Sequence, residues 1–520
     1  MLQSYALLAE LFPAEDGTVS VLYHKKDFTD SHNGRLTGNF AIPDEAVWLR
    51  LLCNKFPIFT ENIYNMKSKI IVLATAMLML CSGVYGQAVV TVDYNQEIGS
   101  IKMMNAANNG PYKENLNEYK ALRVPYARTH DTPHRWNSHT VDINQLFPDW
   151  DANVNNPKSY DFTLTDSLLA VMMKAGTKPF FRLGQSIEHD PKKYGIYPPK
   201  NYKKWAKICE HVIRHYNEGW ADGHHWNIEY WEIWNEPDLD APDDRWKTDP
   251  RCWGGPLEEF HKLYEVTAKH LKKCFPDVKI GGPAFANPRK YGPAFLDHVK
   301  ATGTPLDFFS WHMYHRRPHR VVEDVYKVRE ILDERGFNDV ESILNEWNYV
   351  KRWEEPNHYS TRVRLSIKGA AYVAAIMSTC QDAPLDMLMY YDLRPNVSYN
   401  GAFSAYHYDL LPSYWSLYYW AELAEYGTQV RSECAESDIY TTAVKSPDGK
   451  LRLLMTRYNE DKPEVDLKDM TVVVPQGYKV LSVRLTDSQN EMDRRMEPTG
   501  ESFNLTLEAH AIALIEFLPL

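Results

Sequence analysis

The sequence predicts an α/β protein, a (β/α)₈ (TIM) barrel followed by a small antiparallel β-sandwich. Three observations predict it. Between about residues 97 and 425, eight short apolar strands alternate with amphipathic helices, and eight is the number that closes a barrel. Beyond Gly427 the helical period disappears, and six short strands follow with turn residues between them. No strand runs into a G-x-G-x-x-G turn, which counts against the alternative of an open, doubly wound sheet.

The eight barrel strands are read at 98–104 (IGSIKMM), 125–129 (PYART), 177–183 (TKPFFRL), 228–234 (IEYWEIW), 278–282 (VKIGG), 307–314 (DFFSWHMY), 340–347 (VESILNEW) and 387–393 (MLMYYDL). Helices lie between them. Tyr202–Tyr216 puts Trp205, Ile208, Cys209, Val212 and Ile213 on one face, and Leu257–Cys274 and Val321–Arg335 repeat the period. The barrel is assigned to residues 95–427 and the sandwich to 428–520. Its strands are read at 439–445, 451–458, 470–475, 478–485, 502–508 and 511–518. The run AVVTVDY (88–94) has no helix behind it and is expected to pair into the sandwich.

The N-terminus carries a different message. From Met66 the chain reads MKSKIIVLATAMLMLCSGVYGQ, with Lys67 and Lys69 ahead of an apolar run and small residues before a cut after Gly86. That is the layout of a secretory signal peptide over 66–86, so the protein is expected to be secreted, into a periplasm in a bacterium. Residues 1–65 then form an upstream extension in which nothing structural is expected, translation starting at Met66; a small extra domain is the competing reading. Cys81 as a lipid-anchoring cysteine ranks lower, because the preceding Leu80 is bulky for such a site. No later segment reads as a membrane span.

A net charge of −11 over 520 residues argues against a nucleic-acid partner, which would need a basic face. After cleavage five cysteines remain (Cys209, Cys252, Cys274, Cys380 and Cys434), odd in number and without a C-x-x-C pair. Neither a disulfide framework nor a zinc site follows from them. The pairs His224-His225 and His312/His315 lack a carboxylate at the spacing of H-E-x-x-H, so no metal site is read, and no cofactor is implied.

In a (β/α)₈ barrel the reactive groups gather at the C-terminal strand ends. The fourth strand ends in Asn235-Glu236-Pro237 and the seventh in Asn345-Glu346-Trp347, and no other predicted strand ends in a Glu. Strands four and seven face each other across the barrel mouth. Two opposed carboxyl groups, one protonated and one ionised, are what hydrolysis of a glycosidic bond requires. The apolar neighbours Trp231, Ile233 and Trp234, with repulsion from the second carboxylate, would raise the pKa of Glu236. Glu236 is therefore read as the acid/base and Glu346 as the nucleophile.

The stretches WEIWNEPDL and ILNEWN resemble the acid/base and nucleophile signatures of glycoside hydrolase family 39, which includes β-xylosidases and α-L-iduronidases. The resemblance continues through 197–217, GGPAFA (281–286) and DFFSWHMY, covering most of the barrel. It implies a retaining exo-glycosidase without cofactor, acting on an oligo- or polysaccharide, with a β-sandwich beside the barrel. It further implies that Asn235 holds the sugar 2-hydroxyl, that Tyr314 touches the nucleophile, and that His130, His312, Trp347 and Tyr391 contact substrate. Family members carry a Trp near the end of strand eight, where this chain has MYYDLRP, so Tyr390 or Tyr391 would have to serve. Strand two ends in His130-Asp131 where the family has His-Gly, and the insert DDRWKTDPRCWGG (243–255) adds aromatics and Arg to the rim. β-Xyloside is the leading substrate; a uronide or arabinoside is the runner-up, with Arg316, Arg317 or Arg394 able to read a carboxylate. A non-catalytic glycan-binding barrel and a transglycosidase stay open.

Overall fold

In the computed structural model, eight parallel strands close into a barrel in chain order: Met103–Asn108, Tyr126–Thr129, Lys178–Leu183, Tyr230–Ile233, Lys279–Phe285, Phe308–Tyr314, Glu341–Asn348 and Met387–Tyr390, the last pairing back to the first. The structure describes residues 8–13, 19–24, 88–132, 139–354, 357–463, 465–490 and 493–520. It falls into two units, Met1–Gly86 and Gln87–Leu520. In the first, Leu8–Pro13 pairs antiparallel with Val19–His24. The signal-peptide reading at 66–86 lies outside the described residues.

Alternation along each strand decides what the barrel contains. Ala106, Tyr126, Phe180, Tyr230, Phe308, Ile343, Met387 and Met389 point inward and fill the lower barrel with their own apolar cluster. Two residues further along, the inward positions turn polar: Arg128, Arg182, Glu232, Ser310 and Asn345, all buried. The outward positions, among them Ala127, Phe181, Trp231, Ile233, Phe309 and Trp311, pack under the helices in the main core. A barrel that is greasy below and charged above presents its chemistry at the C-terminal mouth.

The helices form where the 3.6 period predicts, with Tyr202–Glu218 capped by the Asn201 side chain and ended by Gly219 at φ 76°. The sequence reading names three helices and leaves Thr163–Lys174, Pro288–Thr302, Ile367–Gln381 and Pro412–Tyr426 unnamed. In Ile367–Gln381 only Thr379 escapes burial, so no polar face marks the period.

The remaining strands form one nine-stranded sheet in the order Arg494–Met496, Tyr478–Thr486, His510–Pro519, Leu451–Tyr458, Ile439–Lys445, Thr428–Cys434, Ala88–Ser100, Leu467–Val473, Ser502–Glu508. Every pairing is antiparallel except that of Ala88–Ser100 with Leu467–Val473. Met470, Leu505 and Leu507 on one wing share a core with Val483, Ile515 and Phe517 on the other, so the sheet folds over itself. One strand assignment needs correction. Residues 98–100 do not open the barrel; they end the long sheet strand, where Ser100 pairs with Thr428, and the barrel begins only at Met103.

Candidate active site

The residues that gather at the barrel mouth are organised by Arg128, on the second strand and fully buried. Its Nε donates to Glu232 (2.6 Å), one terminal nitrogen to Glu346 (2.8 Å) and Asn108 (3.2 Å), and the other to Asn235 (2.7 Å). One guanidinium thus ties strands one, two, four and seven together; its planar fork of fixed donors suits it to that task. Glu232 also accepts from the Asn345 amide, and Asn108 donates to the Asn345 carbonyl at 2.7 Å. Arg128 and Glu232 were not singled out from the sequence. The available signal was a charged residue at an inward-facing position of an apolar strand, in PYART and YWEIW.

Glu346 points inward from the seventh strand just after a register shift between Leu344 and Glu346. One carboxylate oxygen accepts from Arg128, and the other accepts from the Tyr314 hydroxyl at 2.8 Å. His130 Nε2 lies 3.7 Å from the first oxygen, and His312 Nδ1 lies 3.5 Å from the second. Burial raises the Glu346 pKa, and Glu236 adds to the rise, while His312, Arg128 and the Tyr314 hydroxyl oppose it.

Glu236 sits just past the fourth strand on a backbone of positive φ: Trp234 at 78° and Glu236 at 44°. Such angles cost a non-glycine residue on the order of 1 kcal/mol or more and must be held by their surroundings. Here the Trp234 N–H donates to the Leu183 carbonyl (2.8 Å), and the Glu236 N–H donates to the Ala284 carbonyl (3.0 Å). The Trp234 indole donates to the Cys252 carbonyl at 2.9 Å. The carboxyl of Glu236 meets His312 Nδ1 at 2.8 Å. Its pKa is pushed up to about 7, by burial first, with Asp131 and Asp240 adding and Arg128 and Arg251 opposing. These aspartates add to the mutual repulsion between the Glu236 and Glu346 carboxyls, which the sequence suggested. His312 is driven the other way, down to about 4 by burial, and is neutral near pH 7. A neutral imidazole can donate or accept at Nδ1, so its contact with Glu236 survives either protonation state of the carboxyl.

A carboxylate oxygen of Glu236, one of Glu346 and a His312 nitrogen all lie within 4.8 Å of one another. Asn235, whose carbonyl oxygen is taken by Arg128, leaves its amide nitrogen buried and without a partner, and both ring nitrogens of His130 are in the same condition. His312 Nε2 is a fourth such atom. Unpaired buried polar groups are costly, and hydroxyl-rich molecules satisfy them. Tyr391 is half-buried at the end of strand eight, edge-on to Tyr314 (6.4 Å) and Tyr399 (5.3 Å), with the exposed Trp353 on the far side of Tyr314 at 5.4 Å.

Two expectations fail. Trp347 does not face the mouth. Successive strand residues point to opposite faces, so an inward Glu346 sends Trp347 outward, where it is fully buried against Tyr372 and Tyr390. Tyr390 is likewise in the core, which leaves Tyr391 as the aromatic at the mouth. The insert at 243–255 is only partly rim. The backbone N–H groups of Arg251, Cys252 and Trp253 converge on one Asp240 oxygen at 2.8, 2.6 and 3.0 Å, and Trp253 packs edge-on against Trp234. The insert thereby roofs Glu236, with Cys252 Sγ 3.9 Å from its carboxylate, and helps to keep it dry.

Comparison with known proteins places this geometry. Residues 92–428 match the family described as glycosyl hydrolases family 39. The chain belongs to that family. It is 31% identical over 166 residues to a β-xylosidase of Caldicellulosiruptor saccharolyticus, covering 30% of this chain and 31% of the relative. It is 23% identical over 366 residues to a β-xylosidase of Geobacillus stearothermophilus, covering 62% of this chain and 67% of the relative. The chain therefore spans about a third of the first relative and two thirds of the second. Among solved structures, a glucosidase from Croceicoccus marinus superposes with a TM-score of 0.68 at 20% identity, over 84% of this chain and 100% of that one. A monomeric β-xylosidase from Caulobacter crescentus CB15 gives 0.63 at 20% identity, over 83% and 99%. These likenesses show the shared barrel-and-sheet fold. Among the described residues no helix is long and apolar enough to cross a membrane.

Proposed function

We propose that this family 39 hydrolase is a retaining, exo-acting glycosidase of the β-xylosidase type. The carrying observation is the approach of the two carboxylates, with oxygens of Glu236 and Glu346 within 4.8 Å of each other. Retaining enzymes hold their carboxyl groups about 5–5.5 Å apart, whereas inverting ones leave about 6.5–9.5 Å for a water. Glu346, held by Arg128 and Tyr314, attacks the anomeric carbon. Glu236, protonated up to about pH 7, gives its proton to the departing oxygen, and then takes one from the water that releases the sugar. Asn235 and His130 offer their unpaired nitrogens to sugar hydroxyls, and Tyr391 offers its ring face. The β-xylosidase names of two relatives support the choice of sugar.

The uronide reading loses ground in the geometry. Two of its three arginines are taken, Arg317 by both oxygens of Asp461 and Arg394 by Asp392 and the Asp131 carbonyl, while Arg316 donates to the Lys351 carbonyl at 3.4 Å and keeps its Nε unpaired. Secretion belongs to the proposal on the strength of residues 66–86 alone. The test is an aryl-glycoside panel (xyloside, arabinoside, glucoside, galactoside, fucoside and uronide) with the full chain and Glu346→Ala. Turnover of the xyloside that vanishes in the variant supports the reading; turnover of another sugar replaces the substrate assignment. Binding of a glycan without turnover on any member would replace the enzyme reading with a binding barrel.

A further inference from the structure

We propose that Asp166, His215 and His224 form a site for one divalent transition-metal ion of the zinc type, away from the two catalytic carboxylates. Asp166 lies in the first turn of the helix Thr163–Lys174, His215 in the last turn of Tyr202–Glu218, and His224 in the loop that leads to the fourth barrel strand. One donor atom from each falls within 4.8 Å of the other two. His215 Nε2 is 3.0 Å from Asp166 Oδ1, and His224 Nε2 is 3.6 Å from the same oxygen. A tetrahedral zinc with bonds of about 2.0–2.1 Å keeps its ligands roughly 3.3 Å apart, and the two distances bracket that spacing.

The hydrogen bonding favours a cation more directly. His215 Nδ1 is 2.9 Å from the Trp220 carbonyl oxygen, which can only accept, so Nδ1 carries the hydrogen. In a neutral ring Nε2 is then a lone pair, and it is aimed at a carboxylate oxygen. Something positive must stand between them. A proton on Nε2 would answer for that pair, but it leaves His224 unexplained, because His224 Nε2 is buried and has no hydrogen-bond partner. A metal ion satisfies all three donors at once. A ligating histidine commonly donates its other ring N–H to a backbone carbonyl, as His215 does here.

Both rings are held before any ion arrives. His215 stacks on Phe162 at 3.6 Å and 6°, and His224 stacks on Trp226 at 3.8 Å and 11°. The loop is laced to the helix end: the His224 N–H donates to the His215 carbonyl (2.6 Å) and the Gly219 N–H to the His224 carbonyl (2.9 Å). Gly223 has no substitute in this loop, since a Cβ there would stand 2.1 Å from the His215 carbonyl oxygen and 2.6 Å from its Nδ1. Asp166 and His224 each keep 31% of their side chains exposed, which leaves the outer coordination position to water. Two imidazoles and a carboxylate are a donor set that suits zinc. Two other clusters of similar composition do not qualify. Glu210, beside His270 and Cys274, is already neutralised by Lys207, Arg214 and His270. Glu236, His312 and Glu346 are crossed by Arg128 and committed to the sugar chemistry. The sequence shows His224 only beside His225, without a carboxylate at helical spacing; the partners of His224 come from two other elements.

The test is metal content and zinc titration calorimetry on the full chain after EDTA dialysis, with His224→Gln and Asp166→Asn alongside and His215 left in place because its ring is buried. The wild type takes up one equivalent of Zn²⁺ that both variants lack, and zinc raises its melting temperature but not theirs. Substitution with Co²⁺ gives the wild type alone a visible d–d absorption of low-coordinate type. His224→Gln keeps its aryl-glycosidase activity, so failure here is distinguishable from failure of the enzyme reading. No uptake by the wild type beyond that of His224→Gln overturns the proposal, as does binding that disappears only in Glu236→Gln. If both variants fail to fold, the wild-type stoichiometry and its melting shift with chelator decide.

Discussion

Replacing Tyr314 by Phe removes one oxygen and leaves the ring among Trp353, Tyr391 and Tyr399. The lost interaction is the 2.8 Å hydrogen bond to Glu346. A hydrogen bond to a charged group contributes about 1.5–3 kcal/mol, and that energy favours only the ionised carboxylate. At 1.36 kcal/mol per unit, its loss moves the Glu346 pKa up by about 1–2 units. In the proposed mechanism the active form has Glu346 ionised and Glu236 protonated, so the pH profile of kcat/KM for an aryl xyloside is expected to be a bell. Its acid limb belongs to Glu346, already raised above 4.5, and its basic limb to Glu236 at about 7. In Tyr314→Phe the acid limb climbs towards the basic one, the bell narrows, and the rate on the acid side, below the wild-type limb, falls by about 10- to 100-fold. The basic limb stays in place. An unmoved acid limb together with a shifted basic limb would refute the assignment, because Tyr314 would then be acting on the proton donor.

Substitutions at three further positions follow from the same geometry. Glu236→Gln loses about 10²–10⁴ in kcat on sugars with poor leaving groups and less on activated aryl glycosides, read by a leaving-group series. The same variant has a stability signature. A folded pKa of about 7 against an ordinary 4.5 means that ionising Glu236 destabilises the native state progressively from pH 4.5 to 7, by about 3 kcal/mol in all. Glu236→Gln is therefore more stable than the wild type at pH 8 and loses that advantage at pH 4, as melting curves at the two pH values would show. Arg128→Met leaves Glu232 and Glu346 buried without their cation and costs about 3–5 kcal/mol in denaturant titrations. Trp347→Ala costs about 3–5 kcal/mol of stability as a cavity mutation, whereas Trp347→Phe keeps KM for the xyloside near the wild-type value, since the ring faces the core.

The barrel was readable because its strands are short apolar runs bounded by turn residues, and its outer helices keep a wet face that writes the 3.6 period. Where both faces are buried that contrast vanishes, which is why Ile367–Gln381 went unread. Residues 98–104 misled because two strands, one of the sheet and one of the barrel, meet there with only Ile101 and Lys102 between them. Glu236 and Glu346 stood out as the Glu residues at strand ends, and Tyr314, His312 and His130 converge with them. Arg128 went unnoticed although it holds the site together, because a lone Arg in a strand reads as an outward, solvated residue until the closed barrel turns it inward. Trp347 shows the reverse: the family resemblance implies a substrate contact for the neighbour of Glu346, and the period of two turns that ring into the core. The roof over Glu236 was out of reach for a related reason, since it depends on three N–H groups converging on Asp240 from an insert without regular structure.

In the proposed reaction Glu346 attacks the sugar directly rather than through a water, and the anomeric outcome reports this most directly. Proton NMR of the first-formed product from an aryl β-xyloside, recorded before mutarotation, would show β-xylose appearing first if the carboxylates work at the separation seen here. First appearance of α-xylose would mean inversion, and would contradict the account.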